Sequence, residues 1–183
     1  MMEFTLAREH QWPEIKEIYL EAFPKRERKP IAVLRRSVKN GKALIMTAKE
    51  GEQLLGFTVL IPYEEMIMVD YLAVSSKVRS RGTGSFLMEQ VCRQFSDKKI
   101  VLLIERLDEN AENREQRIAR RRFYLKNGFA SSGLFITGAG GEMEILNYGG
   151  KVSREAYLRL QKHALGKLFF RLSGIRVVNE ISV

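Results

Sequence analysis

Hydrophobic residues follow two different periodicities along the chain, and each periodicity predicts one kind of secondary structure. Residues 12–23 carry apolar side chains at the three- and four-residue spacing of an amphipathic helix, and Pro13 suits the first turn of that helix. Residues 43–48, 54–61 and 65–74 are short apolar segments separated by tight turns, which predicts three consecutive strands. The chain therefore changes from a helical pattern to a meander of strands.

The remainder of the chain adds elements of both kinds. Residues 100–104 are a continuous apolar run, which predicts a buried strand, and residues 112–126 predict a long charged helix that stops at Asn127 and Gly128. The other predicted elements are a strand at 3–6, helices at 31–38, 84–96 and 153–165, and a strand pair at 129–137 and 142–148. The order β-α-α-β-β-β-α-β-α-β-β followed by a helix predicts one mixed α/β domain.

Length and composition narrow the class of protein. With 45% hydrophobic content, 183 residues can bury one sizeable core. No apolar run approaches the ~20 residues that span a bilayer, and the first residues lack a signal-peptide pattern, so we expect no integral membrane segment and a cytoplasmic location. The lone Cys92 fits a reducing compartment and a buried structural role. Because His10 and His163 are isolated in sequence, no metal site is expected.

The net charge of +9 raises the question of a nucleic-acid partner. Basic residues are interleaved with acids along the chain, and the densest basic group, within 114–126, would surround a helix instead of forming one stripe. We therefore expect no nucleic-acid partner. A small ligand with several phosphates would use the same positive charge.

The C-terminal segment after residue 165 is apolar and basic together. It could pack on the core, pair with a partner or contact a membrane surface, and packing is the main expectation. The apolar tail would also allow a homodimer. We treat residues 150–183 as a helix and tail that pack on the domain formed by residues 1–149.

The strongest candidate for a ligand site lies where the apolar strand ends at Val74 and a helix begins after a short basic loop. A helix N-terminus presents backbone N–H groups and partial positive charge, which suits a phosphate. Glycine lets the backbone approach the ligand closely. The residues expected to surround the phosphates are Arg79, Ser80, Arg81, Gly82, Thr83, Gly84 and Ser85.

Spacing excludes two well-known phosphate-binding loops. The chain has no Gly-x-x-x-x-Gly-Lys-Ser/Thr sequence, so it lacks an NTPase P-loop. The third glycine of a dinucleotide-binding fingerprint would fall at Leu87, so a Rossmann site is excluded as well.

Two motifs together resemble those of the GNAT superfamily of acetyl-CoA-dependent N-acetyltransferases, over roughly residues 1–149. The first is Leu72-Ala-Val followed, after four residues, by Arg79-x-x-Gly82-x-Gly84. The second is the helix end Phe123-Tyr-Leu-Lys-Asn-Gly-Phe129. The resemblance implies a central mixed, mostly antiparallel sheet whose fourth and fifth strands splay apart, flanked by helices.

The same resemblance implies that acetyl-CoA is the co-substrate and that no metal takes part. Backbone groups of Leu72, Ala73 and Val74 would pair with the pantetheine arm, and the loop that follows would hold the pyrophosphate. Family members use a tyrosine at the position of Tyr124 to protonate the departing thiolate. A phenol can serve as this acid, although Tyr124 could instead be a core aromatic.

One departure from the family pattern concerns Arg117. Many relatives carry an asparagine at this position, seven residues before the tyrosine. Asn110 or Asn113 would supply the missing contact, or Arg117 would meet a CoA phosphate, and the sequence does not decide between these alternatives. We keep Arg117 as a candidate cofactor-binding residue.

Acetyl transfer to an amine needs a group that removes a proton from the nitrogen. Asp70 and Glu105 are the two candidate bases, since each lies on a strand expected beside the cofactor. The alternatives are an ion pair of Asp70 with an arginine and a solvated strand end at Glu105. The expected function is acyl transfer from acetyl-CoA to a primary amine, on a small molecule more than on a protein. The alternative is an inactive CoA-binding or protein-interaction module with the same fold.

Overall fold

The computed structural model describes residues 1–78, 82–138 and 141–179. The strands in these ranges are β1 (Glu3–Leu6), β2 (Leu44–Glu50), β3 (Gln53–Tyr63), β4 (Met66–Val74), β5 (Lys99–Glu105), β6 (Ala130–Thr137), β7 (Met143–Tyr148) and β8 (Arg176–Asn179). The α-helices are α1 (Trp12–Ala22), α2 (Ile31–Lys39), α3 (Thr83–Gln94), α4 (Arg114–Lys126), α5 (Arg154–Leu165) and α6 (Lys167–Ser173).

The strands form one sheet in the order β1-β2-β3-β4-β5-β7-β6-β8. The pairs β1–β2, β2–β3, β5–β7, β6–β7 and β6–β8 are antiparallel, whereas β4 and β5 run parallel. A tight turn joins β2 to β3, whereas β1 reaches β2 through helices α1 and α2, and β4 reaches β5 through helix α3. The expected mixed, mostly antiparallel sheet with flanking helices is confirmed.

The described chain forms two compact units. The first consists of residues 1–62 and 69–94. Its core includes the buried face of α1 and a cluster in which Leu87 of α3 meets Ala48, Leu55 and Val78. Half-buried Leu72 and Val74 pack against the same cluster, so the end of β4 and the first half of α3 are held by one hydrophobic core.

The second unit consists of residues 63–68 and 95–183. Strands β5 and β7 form its centre with a continuous register from the pair Ile100–Tyr148 to the pair Glu105–Met143. Tyr157 and Leu160 of α5 are fully buried. The division of the chain at residue 149 stays a prediction.

The C-terminal tail, which was expected to pack on the domain, contains two elements that were not predicted. After α5 it forms α6, turns at Gly174 with a φ of 63°, and continues as β8, which pairs with β6. Val177 of β8 is fully buried, but Leu168, Phe169 and Leu172 of α6 are between 66% and 73% exposed. Strand β8 was not predicted, because its four residues form hydrogen bonds only with β6, about 40 residues away in sequence. A local sequence pattern does not reveal such a partner.

Two further observations concern expectations from composition. Within the described ranges, no helix combines the length and the apolar character that a membrane-spanning segment needs. The same ranges hold no cluster of three or more His, Cys, Asp or Glu side chains suited to a metal ion. Cys92 is buried on α3, and burial raises its pKa to about 11, so the thiol stays protonated near neutral pH.

Candidate functional site

The end of β4 presents three residues that were expected to contact the cofactor. Burial alternates along the strand, so that Leu72 and Val74 lie on one face and Ala73 on the other. At Ser75 the backbone N–H donates to the Leu55 carbonyl at 2.9 Å. The chain then makes a short 3-10 turn, closed by a 3.1 Å bond from Val78 N to Ser75 O, before the described residues stop at 78.

Gly56 on β3 sets the position of this part of β4. A Cβ added at Gly56 would lie only 2.5 Å from the Ala73 carbonyl oxygen and 3.1 Å from Val74 Cα. Any side chain would therefore push away the backbone that was expected to pair with pantetheine. Sequence reasoning did not select this glycine, because the requirement comes from a neighbouring strand.

Helix α3 begins at Thr83, directly after Gly82 of the basic loop. Gly82 has a φ of +79°, which L-residues rarely adopt, and no atom of the described residues lies within 4 Å of the place where its Cβ would stand. The first i→i−4 bond of the helix runs from Phe86 N to Gly82 O at 2.9 Å. The amides of Thr83, Gly84 and Ser85 therefore belong to the first turn, where a helix supplies no acceptor of its own.

These features fit an anionic group at the start of α3. Within the described residues, the space beside Gly82 is open and the Thr83 hydroxyl is buried without a hydrogen-bond partner. The first-turn amides also carry the positive end of the helix dipole. Arg79, Ser80 and Arg81 were also expected at this place, and they lie outside the described residues.

Tyr124 lies in the second unit, in the last turn of α4. Its ring is 91% buried and packs edge-on against Phe123, with centroids 5.0 Å apart, and against Phe129 at 5.8 Å. Burial raises the pKa of its phenol to about 12, and the nearby Arg120 charge opposes this rise. In the described part of the chain the hydroxyl has no hydrogen-bond partner, so the backbone partner expected of a purely structural tyrosine is missing there.

Spectrophotometric titration of the tyrosines can test whether burial raises their pKa values. Burial is the main cause that raises the pKa of Tyr19, Tyr71 and Tyr124. We expect three of the six tyrosines to ionise above about pH 10 in the folded protein. Because these folded-state pKa values are raised, the stability that they contribute is present below about pH 10 and is lost as the pH rises through them. Six tyrosines ionising together near pH 10 with the fold intact would contradict this expectation.

Glu105, at the end of β5, is part of a dense polar network. Asn113 Nδ2 donates to both carboxylate oxygens at 3.1 Å, and Arg120 Nη1 donates at 2.9 Å. Arg117 Nη2 is 3.5 Å from the second oxygen. The carboxylate is therefore surrounded by donors instead of lying at a solvated strand end.

Arg117 belongs to the same hydrogen-bond network around Glu105. Its Nε donates to Asn113 Oδ1 at 2.8 Å and its Nη1 donates to the Arg106 carbonyl, also at 2.8 Å. These bonds tie the first half of α4 to the end of β5. The structure thus gives Arg117 a positioning role, and its contact with a CoA phosphate stays a prediction.

A second ion pair fixes α4 from the other side. Arg121 donates through Nε to Glu144 of β7 at 2.9 Å and through Nη2 at 3.3 Å. Glu144 is a buried carboxylate, so the pairing is needed to satisfy its charge. With Glu105 and Glu144 both bound to α4, the helix that carries Tyr124 is held at two strands of its own unit.

Asp70 lies on β4 in the first unit, on the face that it shares with Leu72. Its Oδ2 accepts a 2.6 Å hydrogen bond from Lys29 Nζ, so its ion-pair partner is a lysine, whereas the alternative drawn from the sequence was an arginine. The Asp70 side chain is 14% exposed. Its Oδ1 has no hydrogen-bond partner among the residues that the structure describes.

Two tyrosines fix the segment that carries Lys29. The Lys29 N–H lies 2.8 Å from the Tyr19 hydroxyl and 3.1 Å from the Tyr71 hydroxyl. Tyr71 donates in turn to the Glu27 carbonyl at 2.9 Å. Sequence reasoning missed Lys29 because it is 41 residues away from Asp70 and lies in a loop without a recognisable motif.

Comparison with known proteins places these observations in a family. Residues 41–131 match the model of the acetyltransferase (GNAT) domain. A comparison with curated proteins finds no match. The matched residues include the end of β4, the loop after it, α3, β5 and Tyr124.

Solved structures share the fold. A GNAT-family protein from Bacteroides thetaiotaomicron is 19% identical, with a TM-score of 0.70, and the match covers 95% of this chain and 99% of that one. A GNAT acetyltransferase from Elizabethkingia anophelis, solved with acetyl-CoA bound, is 19% identical over 80% of this chain and 96% of its own, with a TM-score of 0.57. A ribosomal-protein-alanine N-acetyltransferase from Brucella melitensis is 14% identical over 80% and 98%, with a TM-score of 0.61.

Proposed function

The chain belongs to the GNAT acetyltransferase family, and from this premise we propose that it transfers the acetyl group of acetyl-CoA to a primary amine by direct attack. The observation that carries the proposal is the start of α3. There a glycine at positive φ precedes the first-turn amides, in the connection that follows β4.

In this proposal the diphosphate of CoA binds the amides of Thr83, Gly84 and Ser85. The dipole of α3 and the charges of Arg79 and Arg81 would favour the anion. The backbone of Leu72, Ala73 and Val74 would receive the pantetheine arm as an added strand, where the family resemblance implies that the fourth and fifth strands splay apart and leave main-chain groups that can pair with an extended ligand.

The reaction forms an N–C bond and breaks a C–S bond. The amine nitrogen attacks the thioester carbonyl carbon, the sulfur leaves as a thiolate, and the nitrogen loses a proton. We propose that the Tyr124 hydroxyl gives its proton to the thiolate. Support comes from its hydroxyl, which has no hydrogen-bond partner among the described residues and can therefore donate to a ligand atom.

We propose Asp70 as the group that accepts the proton from the amine, directly or through water. The Glu105 oxygens already accept three hydrogen bonds, which disfavours a role in proton transfer. Asp70 has one bound oxygen and one without a described partner, so it can accept a proton without losing the Lys29 contact.

Paired variants distinguish the two carboxylates. We expect Asp70→Asn to lower kcat by on the order of 10²-fold, because proton removal by a positioned base contributes about that much. Glu105→Gln should lower the melting temperature instead, since it weakens the network that holds α4, and it should change kcat less than tenfold. Steady-state kinetics and thermal unfolding on both variants check this, and the reverse pattern would assign the base to Glu105.

The ion pairs made by Asp70 and Glu105 also favour a second candidate function, which is a CoA-binding module without catalysis. Each candidate base is held in an ion pair, Asp70 by Lys29 and Glu105 by Arg120. A protein of this kind would bind CoA and release no thiol. Its binding site would be the same one at the start of α3.

Two measurements on the purified chain separate the candidates. We expect acetyl-CoA to raise the melting temperature, because a ligand that binds only the folded state stabilises it. We also expect time-dependent release of free thiol when a panel of primary amines is added, with a no-amine reaction as the control. Stabilisation without thiol release from any amine would favour the module, and absence of both effects would contradict each candidate.

A further inference from the structure

Helix α6 presents an apolar surface to solvent. Leu168, Phe169 and Leu172 are 66%, 68% and 73% exposed, and apart from Met1 they are the most exposed large apolar side chains among the described residues. Leu168 and Leu172 lie one helical turn apart with Phe169 beside them, so the three form one continuous group, the α6 patch. Single exposed apolar residues are common, whereas a continuous group usually marks a contact with a partner or a membrane.

The rest of the C-terminal segment holds the α6 patch in place on the second unit. Helix α6 packs against α5, and Phe170 N donates to the Gly166 carbonyl at 2.9 Å. Ser173 Oγ donates to the Phe170 carbonyl at 2.7 Å, and β8 pairs with β6 soon after the helix ends. A Cβ added at Gly138 would lie 3.2 Å from the Ser173 carbonyl oxygen, so the end of β6 lies close to the end of α6. Folding therefore presents the patch in a defined position.

The sequence around the α6 patch is positively charged. Residues 156–179 contain five lysines and arginines and no Asp or Glu. Arg159 pairs with Glu64 at 3.5 Å. The other four are exposed and have no ion-pair partner in the part of the chain that the structure describes: Lys162, Lys167, Arg171 and Arg176.

On α6 the cations and the apolar patch share the solvent side of the helix. Lys167 and Arg171 are exposed, lie one turn apart, and each precedes a leucine of the patch. Phe170 and Ser173 are half-buried and lie on the other side of the helix. Exposed leucine and phenylalanine beside lysine and arginine are typical of helices that lie in the surface of a bilayer with anionic lipids.

We propose that α6 attaches the protein to the surface of a membrane that contains anionic lipids. The α6 patch enters the boundary between headgroups and acyl chains, and Lys167 and Arg171 contact the lipid phosphates. The helix lies in the surface, because its seven residues are too few to cross a bilayer. This attachment is independent of the proposed acetyl transfer, since it needs neither acetyl-CoA nor turnover.

Charge favours lipid over the other occupants of the patch. Two copies of the chain joined through α6 would bring Lys167, Arg171 and Arg176 of each copy towards the same cations of the other, and like charges repel. A nucleic acid would pair with the cations but would leave the three apolar side chains without an apolar partner. An anionic bilayer binds both groups at once.

Vesicle sedimentation with the full chain tests the proposal. The test vesicles are phosphatidylcholine with about one third phosphatidylglycerol, and pure phosphatidylcholine is the control. We expect at least tenfold tighter binding to the anionic vesicles, and we expect the affinity to fall as the salt concentration rises, because salt screens the attraction. Absence of binding to the anionic vesicles would overturn the proposal.

A leucine variant tests the apolar contribution. Leu172→Gln should weaken binding to anionic vesicles at least fivefold, because one apolar side chain no longer enters the bilayer. Leu20→Gln is the matched control, since Leu20 is 44% exposed on α1. Glutamine is a good helix former, so both variants should keep the melting temperature of the unchanged chain. Equal vesicle binding by the two variants would contradict the assignment to α6.

Paired charge variants test the role of the cations. Lys167→Gln combined with Arg171→Gln removes two charges from α6, and Arg36→Gln combined with Lys39→Gln removes two from exposed positions of α2. The first combination should weaken binding to anionic vesicles at least tenfold more than the second. Equal losses would show a general effect of the net charge of +9 and would overturn the assignment.

Tryptophan fluorescence distinguishes insertion into the bilayer from adsorption. The chain has one tryptophan, the buried Trp12, whose signal can be subtracted. With anionic vesicles, emission added by Phe169→Trp should shift to shorter wavelength and be quenched by brominated lipids, whereas emission added by Leu20→Trp should not. Vesicle binding without this quenching would show that α6 stays outside the bilayer.

Light scattering tests the competing occupant. We expect the chain and its Leu172→Gln variant to have the same molar mass in solution without vesicles. A dimer that Leu172→Gln dissociates would assign the α6 patch to a second copy of the chain, and the membrane proposal would then be wrong.

Discussion

Replacing Tyr124 by phenylalanine is expected to lower kcat by on the order of 10²- to 10⁴-fold, the usual range for a positioned acid or base. The variant keeps the ring, which packs against Phe123 and Phe129, so the core of this region should be preserved. It removes only the hydroxyl that is proposed to give its proton to the thiolate. The dissociation constant for acetyl-CoA should change less than threefold, measured by calorimetry beside the kinetic assay.

Tyr148→Phe is the matched control. Tyr148 belongs to the same aromatic group, with its ring centroid 5.6 Å from that of Phe129, and losing its hydroxyl tests the general effect of such a change. We expect a kcat within twofold of the unchanged chain. If Tyr124→Phe retains full turnover, Tyr124 has no part in proton transfer and water must protonate the thiolate.

Gly82→Val is expected to weaken acetyl-CoA binding by at least tenfold. The side chain would be forced into a positive φ, at a strain of about 1–2 kcal/mol, and its methyl groups would fill the open space in front of the α3 amides. Since nothing lies within 4 Å of the added Cβ, the protein core does not resist the substitution. Calorimetry with acetyl-CoA and thermal unfolding give the two quantities to compare.

Gly51→Val provides the control for backbone strain. Gly51 lies in the turn between β2 and β3, has a φ of +58°, and also has nothing within 4 Å of its missing Cβ. Both variants should lose similar stability, but only Gly82→Val should lose affinity. Equal affinity for acetyl-CoA in the two variants would show that the backbone at Gly82 does not face the ligand.

Local sequence patterns were sufficient where the structure depends on local interactions. The end of α4 was predicted from Asn127 and Gly128, and the φ of 85° at Gly128 shows why glycine is favoured there. The two motifs led to the correct family. Strand β4 and helix α3 were also placed within two residues of their observed ends. The expected mixed, mostly antiparallel sheet followed from the same family resemblance.

Contacts distant in sequence were not predictable in this way. Lys29 reaches Asp70 across 41 residues, and Gly56 is required by the carbonyl of Ala73 on another strand. The bonds from Asn113 and Arg120 to Glu105 depend on how α4 packs against β5. Each of these contacts is created by folding, so the residue types alone carry no signal for it.

The most direct test of the account compares acetyl-CoA with S-acetylpantetheine, which has the same thioester and arm but no diphosphate. If the amides of the first turn of α3 bind the diphosphate, calorimetry should show binding of acetyl-CoA at least a hundredfold tighter than that of S-acetylpantetheine. Equal affinity for the two compounds, or no binding of acetyl-CoA, would contradict the central claim.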